Sequence, residues 1–252
     1  MKRFLFIPFV IFWLNAFADC AGNGILVWPE TNTINACQVF VIEGYFMDQQ
    51  IIRDLNKKHP VYLRSGDQVI KLKLLELCEG EFRLTQAVLI PERELTIGGT
   101  YQLIVDSLPD GTRIGRWNTM NHQYTPLNWT VGSERDTIAP EWINTPVLLN
   151  KEIQHYGCGP AKYVNFSCLI KDNSFCFIKT TIRDFTTGVI TSYYLKPDST
   201  ILKLGHGMCS GAFKRDINSN QEVEFEIIDA SGNRRPWSGK PFQFRSLIPI
   251  KR

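Results

Sequence analysis

Hydrophobic and polar positions alternate along most of this chain with a period of two. Ile70, Leu72 and Leu74 alternate with Lys71 and Lys73, and Val223, Phe225 and Ile227 with Glu222, Glu224 and Glu226. Val164, Phe166, Cys168 and Ile170 alternate with Tyr163, Asn165, Ser167 and Leu169. Successive side chains of a strand point to opposite faces, so the pattern predicts strands with one face in a core and one in water. Further strands are expected at 25–28, 38–43, 61–63, 82–90 and 101–105, then at 176–185, 189–195, 200–204 and 242–245. Ser65-Gly66-Asp67, Gly98-Gly99, Pro109-Asp110-Gly111, Thr187-Gly188 and Ser231-Gly232-Asn233 supply turn chemistry between them. Only residues 48–58 have helical spacing, with Ile51, Ile52 and Leu55 on one side, which predicts a single short helical crossover.

Many short strands with almost no helix mean an all-β sandwich or barrel. The first residues stand apart. Met1-Lys2-Arg3 is a short positive start, Phe4 to Leu14 is an 11-residue apolar run, and Ala16-Phe17-Ala18 places small residues where a signal peptidase reads them. This tripartite pattern predicts a signal peptide over 1–18, with an N-terminal anchor helix as the alternative. Cleavage after Ala18 leaves 234 of the 252 residues, more than the roughly 100 of one sandwich. Two tandem β-sandwiches are therefore expected, at 19–132 and 137–246, divided at the polar stretch Gly132-Ser133-Glu134-Arg135-Asp136. One larger all-β domain is the alternative.

Asp136-Thr137-Ile138-Ala139-Pro140 resembles the opening of an immunoglobulin-like module of bacterial exported and surface proteins, and Asp229-Ala230-Ser231-Gly232-Asn233 resembles its closing hairpin. The likeness covers 136–246. It implies an immunoglobulin-like sandwich and an exported setting, not an activity. The first half shares only the strand pattern, and the Cys…Trp…Cys arrangement of antibody-type domains is absent.

Composition narrows the rest. Hydrophobic residues at 44% and charged residues at 21% exclude a disordered chain, and a net charge of +3 is too small to imply a nucleic-acid or membrane partner. Beyond residue 14 no stretch is apolar enough to span a bilayer. Export implies an oxidising compartment, such as periplasm, cell surface or medium, where Cys20, Cys37, Cys78, Cys158, Cys168, Cys176 and Cys209 are all disulfide candidates. Seven is odd, and sequence leaves the pairing open. Cys20 follows small residues closely enough for a lipid anchor, which would leave an even number, although Asp19 fits that chemistry poorly.

Candidate chemistry is sparse. Gly207-Met208-Cys209-Ser210-Gly211 has the form of a nucleophile elbow with His206 beside it, but lacks the strand-to-helix context, so a cysteine hydrolase is a remote alternative. His59, His122, His155 and His206 are scattered, no metal-ligand spacing or cofactor fingerprint is present, and neither metal nor cofactor is expected. The paired carboxylates Glu79 and Glu81, like Glu222 and Glu224, lie two apart on strands and suit a wet face. Trp117, Tyr124, Trp129 and Trp142 cluster around the proposed division and are candidate ligand-binding aromatics, as in a carbohydrate-binding module, or else packing at the junction. The reading is a non-enzymatic exported protein of the cell envelope, acting in adhesion, scaffolding or ligand binding through its loops or the groove between its domains.

Overall fold

The computed structural model describes residues 20, 22–120, 122–214 and 219–245, the side chains of 117 and 118 excepted. The expected signal peptide, 1–18, lies outside the described residues. The first half holds β1 (Gly24–Trp28), β2 (Thr33–Asn35), β3 (Phe40–Tyr45), α1 (Gln49–Arg53), β4 (Val61–Ser65), β5 (Gln68–Glu79), β6 (Leu84–Pro91), β7 (Thr100–Val105), β8 (Arg116–Asn118), β9 (Gln123–Thr125) and β10 (Asn128–Ser133). The second half holds β11 (Glu141–Trp142), β12 (Val147–Tyr156), β13 (Gly159–Ser167), β14 (Ile170–Lys171), β15 (Phe177–Asp184), β16 (Ile190–Leu195), β17 (Ile201–His206), β18 (Asn220–Ile228), β19 (Arg234–Pro236) and β20 (Phe242–Arg245). The all-β class follows.

Eight strands of the first half join in the order β1-β3-β6-β5-β4-β7-β10-β2. The result is a half-barrel rather than the expected pair of stacked sheets. Strand β5 is the reason. Its residues 68–71 pair with β4, while residues 72–79 pair with β6, with a register shift between Leu74 and Glu76. One long strand thus serves both halves of the sheet and bends it around a core. That core holds Phe40, Ile42, Leu63, Leu72, Tyr101 and Trp129.

The second half has two main sheets, β12-β13-β17 and β16-β15-β18, the latter extended by β19 and β20 on the far edge of β18, and a two-stranded pair, β11-β14. Val164 and Phe166 from one sheet and Val223 and Phe225 from the other meet inside. The alternations in β13 and β18 therefore mark the buried face as expected.

The helix is shorter than expected. A turn of 3-10 helix at Phe46–Asp48 leads into five α-helical residues, and the chain has left the helix by Asn56, at φ 58°. Asn tolerates this left-handed conformation, and its Nδ2 donates to the Leu72 carbonyl at 2.7 Å. Ile51, Ile52 and Leu55 still bury the anticipated face.

The two halves share a core. Val39, Val41, Cys78, Leu84 and Val88 of the first pack with Phe177, Tyr193, Tyr194 and Phe213 of the second. Strand β3 belongs to both: Phe40 and Ile42 face the half-barrel interior, Val41 and Glu43 face the second half. The connection is pinned as well. The Asp136 amide donates to Ser231 Oγ at 3.0 Å, Asn233 Nδ2 donates to the Asp136 carbonyl at 3.0 Å, and the Val39 amide donates to the Ala230 carbonyl at 2.7 Å. Gly232, at φ 87°, makes the turn that brings these groups together.

Candidate functional site

Between β3 and β6 on one side and β13, β16 and β17 on the other lies a cleft of about 210 Å³. Alternation places Glu43 on the face of β3 that looks away from the half-barrel core, beside its partner Gln86 in β6. Tyr193 in β16 donates its hydroxyl hydrogen to Glu43 Oε2 at 2.7 Å, and Gln86 Nε2 approaches the same oxygen at 3.4 Å. Part of Glu43 opens onto the cleft, while dense protein surrounds the rest. Burial pushes its carboxyl up to about 7, against the opposing pull of the Tyr193 and Gln86 hydrogen bonds. Among the described residues its side-chain partners are both neutral.

Gln86 does a second job. Its Nε2 donates to the Tyr194 carbonyl at 3.0 Å and its Oε1 accepts from the Tyr194 amide at 3.1 Å, so the side-chain amide extends the edge of β16 like a further strand residue. Farther along the seam, Glu76 accepts from Lys179 Nζ at 2.6 Å and from Tyr194 Oη at 2.8 Å. Burial opposes ionisation of Glu76, but these bonds win and hold its carboxyl below the usual range.

The aromatic walls of the cleft are Trp28, Tyr163, Phe177 and Tyr193. Trp28 and Phe177 meet edge to face, centroids 5.9 Å apart. Trp28 Nε1 is buried and has no hydrogen-bond partner among the described residues. Lys196 and Lys203 lie at the outer lining, both exposed, and Lys196 Nζ sits 2.6 Å from Glu30 Oε2. His206 Nδ1 lies 2.7 Å from the Gly207 carbonyl.

The aromatics singled out in the sequence do not converge here. Trp129 is fully buried, 5.1 Å from Phe40 by centroid, with Nε1 donating to the Pro29 carbonyl at 3.1 Å. Trp142 is half-buried against Trp237, with Nε1 donating to the Arg235 carbonyl at 3.3 Å. Tyr124 is exposed on the β8–β9 hairpin, where its backbone pairs with that of Trp117, whose side chain lies outside the described part. Glu43, Trp28, Tyr163 and Tyr193 drew no attention in the sequence, where Glu43 reads as an ordinary polar position ending a strand.

Of the seven cysteines, Cys20 and Cys209 are bonded across 189 positions, joining the two halves. A lipid thioether and a catalytic thiolate each require one of these sulfurs free, so the bridge counts against both. Cys37, Cys78, Cys158, Cys168 and Cys176 are thiols, which departs from the expectation of further bridges. Burial pushes Cys78 and Cys168 up to about 12 and raises Cys176 as well. Burial also raises Cys37, helped by its bond to Glu94 at 3.3 Å. Such thiols are inert near neutrality.

Among the described residues, Asp136, Asp172 and Asp229 each offer a carboxylate oxygen within 4.8 Å of the others, a group that three distant positions did not suggest. Asp229 Oδ1 accepts from the Ser231 and Asn233 amides at 2.9 and 2.8 Å, and Asp172 Oδ1 from the Ser174 amide at 2.7 Å. The Asp229 bonds shape the expected turn at Ser231-Gly232-Asn233, whereas the one at Asp172 was not anticipated.

No protein-family model and no curated protein matches this chain. Among solved structures, a type I pullulanase from Bacillus subtilis complexed with maltose aligns over 84% of this chain and 23% of its own, at 9% identity and TM-score 0.24. The adhesin InvE of Yersinia pseudotuberculosis aligns over 88% and 58%, at 13% identity and TM-score 0.23. Tandem Ig repeats of Dlar align over 88% and 95%, at 10% identity and TM-score 0.23. The chain spans about a quarter of the pullulanase and somewhat more than half of the adhesin.

Proposed function

We propose that this chain is a non-enzymatic exported protein whose two β units, the second an immunoglobulin-like sandwich, hold a small ligand in the cleft between them. The observation that carries the reading is Glu43: a carboxyl largely enclosed by protein, facing a lined cavity, with neutral partners only. A buried acid without a countercharge weakens the fold, and such groups concentrate where a ligand is met. The apolar leader and the Cys20–Cys209 bridge support export, since such bridges persist in oxidising compartments. The binding of Cys209 in that bridge supports a non-enzymatic role.

A thermal-shift screen of metabolite-sized compounds tests the reading, run on the wild type and on Ser210→Phe, which fills the lining from its loop. Compounds that stabilise only the wild type are expected. No stabilisation, or equal stabilisation of both proteins, would end the reading.

A second reading, carbohydrate binding, moves from the tryptophans of the sequence to Trp237. It lines a groove of about 430 Å³ with Thr181, Lys179 and Glu224. An aromatic ring beside polar groups suits a sugar face. Glycan-array binding that is lost in Trp237→Ala supports this reading, and binding unchanged by that substitution removes it.

A further inference from the structure

The cleft also carries information on what it holds. Its charges are arranged by depth. The acid is half-buried and held between Tyr193 and Gln86, both buried, while Lys196 and Lys203 lie at the exposed lining, one of them already engaged by Glu30. Rings stand around the acid: Tyr193 touches it directly, and Trp28, Phe177 and Tyr163 complete the lining. A half-buried carboxylate with only neutral partners among the described residues, beside aromatic walls, is complementary to a positively charged organic group, because both the Coulomb term and the ring quadrupoles favour a cation out of water. The small volume excludes a large ligand.

We propose that the cleft binds a small organic ammonium compound, with the Glu43 carboxylate as counter-ion and Trp28, Tyr163, Phe177 and Tyr193 as walls. This rests on the cleft being a ligand site, as argued above. Trp28 contributes its ring to the lining, and the outer lysines tolerate a negative tail. The titratable and charged groups around Glu43 are Tyr193 on β16, Cys78 on β5, Tyr163 on β13, His206 and Lys203 on β17, and Lys196 just beyond β16. Ionisation of Glu43 on binding releases a proton, so binding strengthens as pH rises through about 7.

The test is calorimetric titration of the full exported chain with methylammonium, tetramethylammonium and glycine betaine at pH 6 and pH 8, with tryptophan fluorescence as a second signal. At least one probe is expected to bind saturably, about tenfold more tightly at pH 8 than at pH 6, and at pH 6 the observed binding heat should vary with the buffer's ionisation enthalpy with a slope that reports proton release. Glu43→Gln is expected to weaken that binding at least tenfold and to remove its pH dependence. Trp28→Leu keeps an apolar wall and loses a ring; a roughly threefold loss there, chiefly for tetramethylammonium, keeps the test decisive if Glu43→Gln fails to fold. Saturable binding unaffected by either substitution overturns the proposal. If none of the three probes binds while neutral or anionic screening hits still depend on an open cleft, the ammonium assignment falls and the cleft remains a ligand site. If nothing distinguishes the wild type from Ser210→Phe, both fall.

Discussion

The hydroxyl of Tyr193 reaches Glu43 at 2.7 Å across 150 positions of sequence, and the bond crosses the seam between a half-barrel and a sandwich. The acid it meets is ordinary in type and unusual in setting. The folded protein holds the Glu43 proton up to about pH 7, whereas an unfolded chain releases it near 4.5. Between those values the folded state binds more protons, so stability falls as pH rises. The contribution is complete below pH 4.5 and is lost on passing through pH 7, with a magnitude on the order of 3 kcal/mol. Melting curves from pH 5 to pH 8 should show the wild type losing stability relative to Glu43→Gln. Parallel curves would contradict the assignment.

Asp184 has the opposite sign. Burial raises its carboxyl, but bonds from Ser219, Gln221 and the Thr186 and Thr187 amides outweigh that and hold it down to about 2. Its stabilisation is present above pH 3.8 and is lost as pH falls towards 2. The group lies near the surface, so water screens it and about 1 kcal/mol is expected. Asp184→Asn should remove this acid-side dependence in denaturant titrations at pH 2.5 and pH 5; an unchanged difference between those two pH values counts against it.

Gln86 is almost fully buried and spans both backbone groups of Tyr194. Gln86→Ala leaves a buried donor and acceptor unmatched and should cost about 2–3 kcal/mol, read as a lowered urea midpoint. A cost below about 0.5 kcal/mol would show that water replaces the amide at no loss.

Reduction of Cys20–Cys209 opens a loop of nearly the whole described chain. Cys209→Ser should cost about 2–5 kcal/mol, and mapping of the non-reduced protein should find one bridged peptide pair. Denatured, unreduced protein should show five reactive thiols. Three or one would establish further bridges.

Trp129→Ala should cost about 3–5 kcal/mol through a cavity against Phe40, while leaving ligand binding in the folded protein unchanged. Loss of binding at full stability would restore Trp129 to the site.

Alternation in the sequence is a statement about one strand and its own two faces. It located β13 and β18 and the buried side of each, and the turn residues located Gly232 and its neighbours. It could not say that the outward face of β3 would be covered by another unit, so Glu43 read as solvated. The run Phe40-Val41-Ile42, apolar on consecutive positions, was the available signal that both faces are buried. The change of partner along β5 left no mark in the period, because a strand keeps its alternation whichever neighbour it pairs with. The Cys20–Cys209 pairing depends on how the ends of the fold approach, which spacing does not encode. The sequence left Trp129 between a binding and a packing role because a large aromatic fits a core and a loop equally well, and the structure buries it.

The bridge from Cys20 to Cys209 has a mechanical meaning. Tension applied between the first described residue and the last strand, β20, passes through two sulfur atoms rather than through residues 21–208. Most of the half-barrel and much of the sandwich are therefore off the load path, and stretching an oxidised molecule releases only the segment after Cys209. That segment carries β18, whose Val223 and Phe225 fill the shared core, so a pull on the C-terminal strands opens the sandwich, and reduction puts the remaining length of chain back under tension as well.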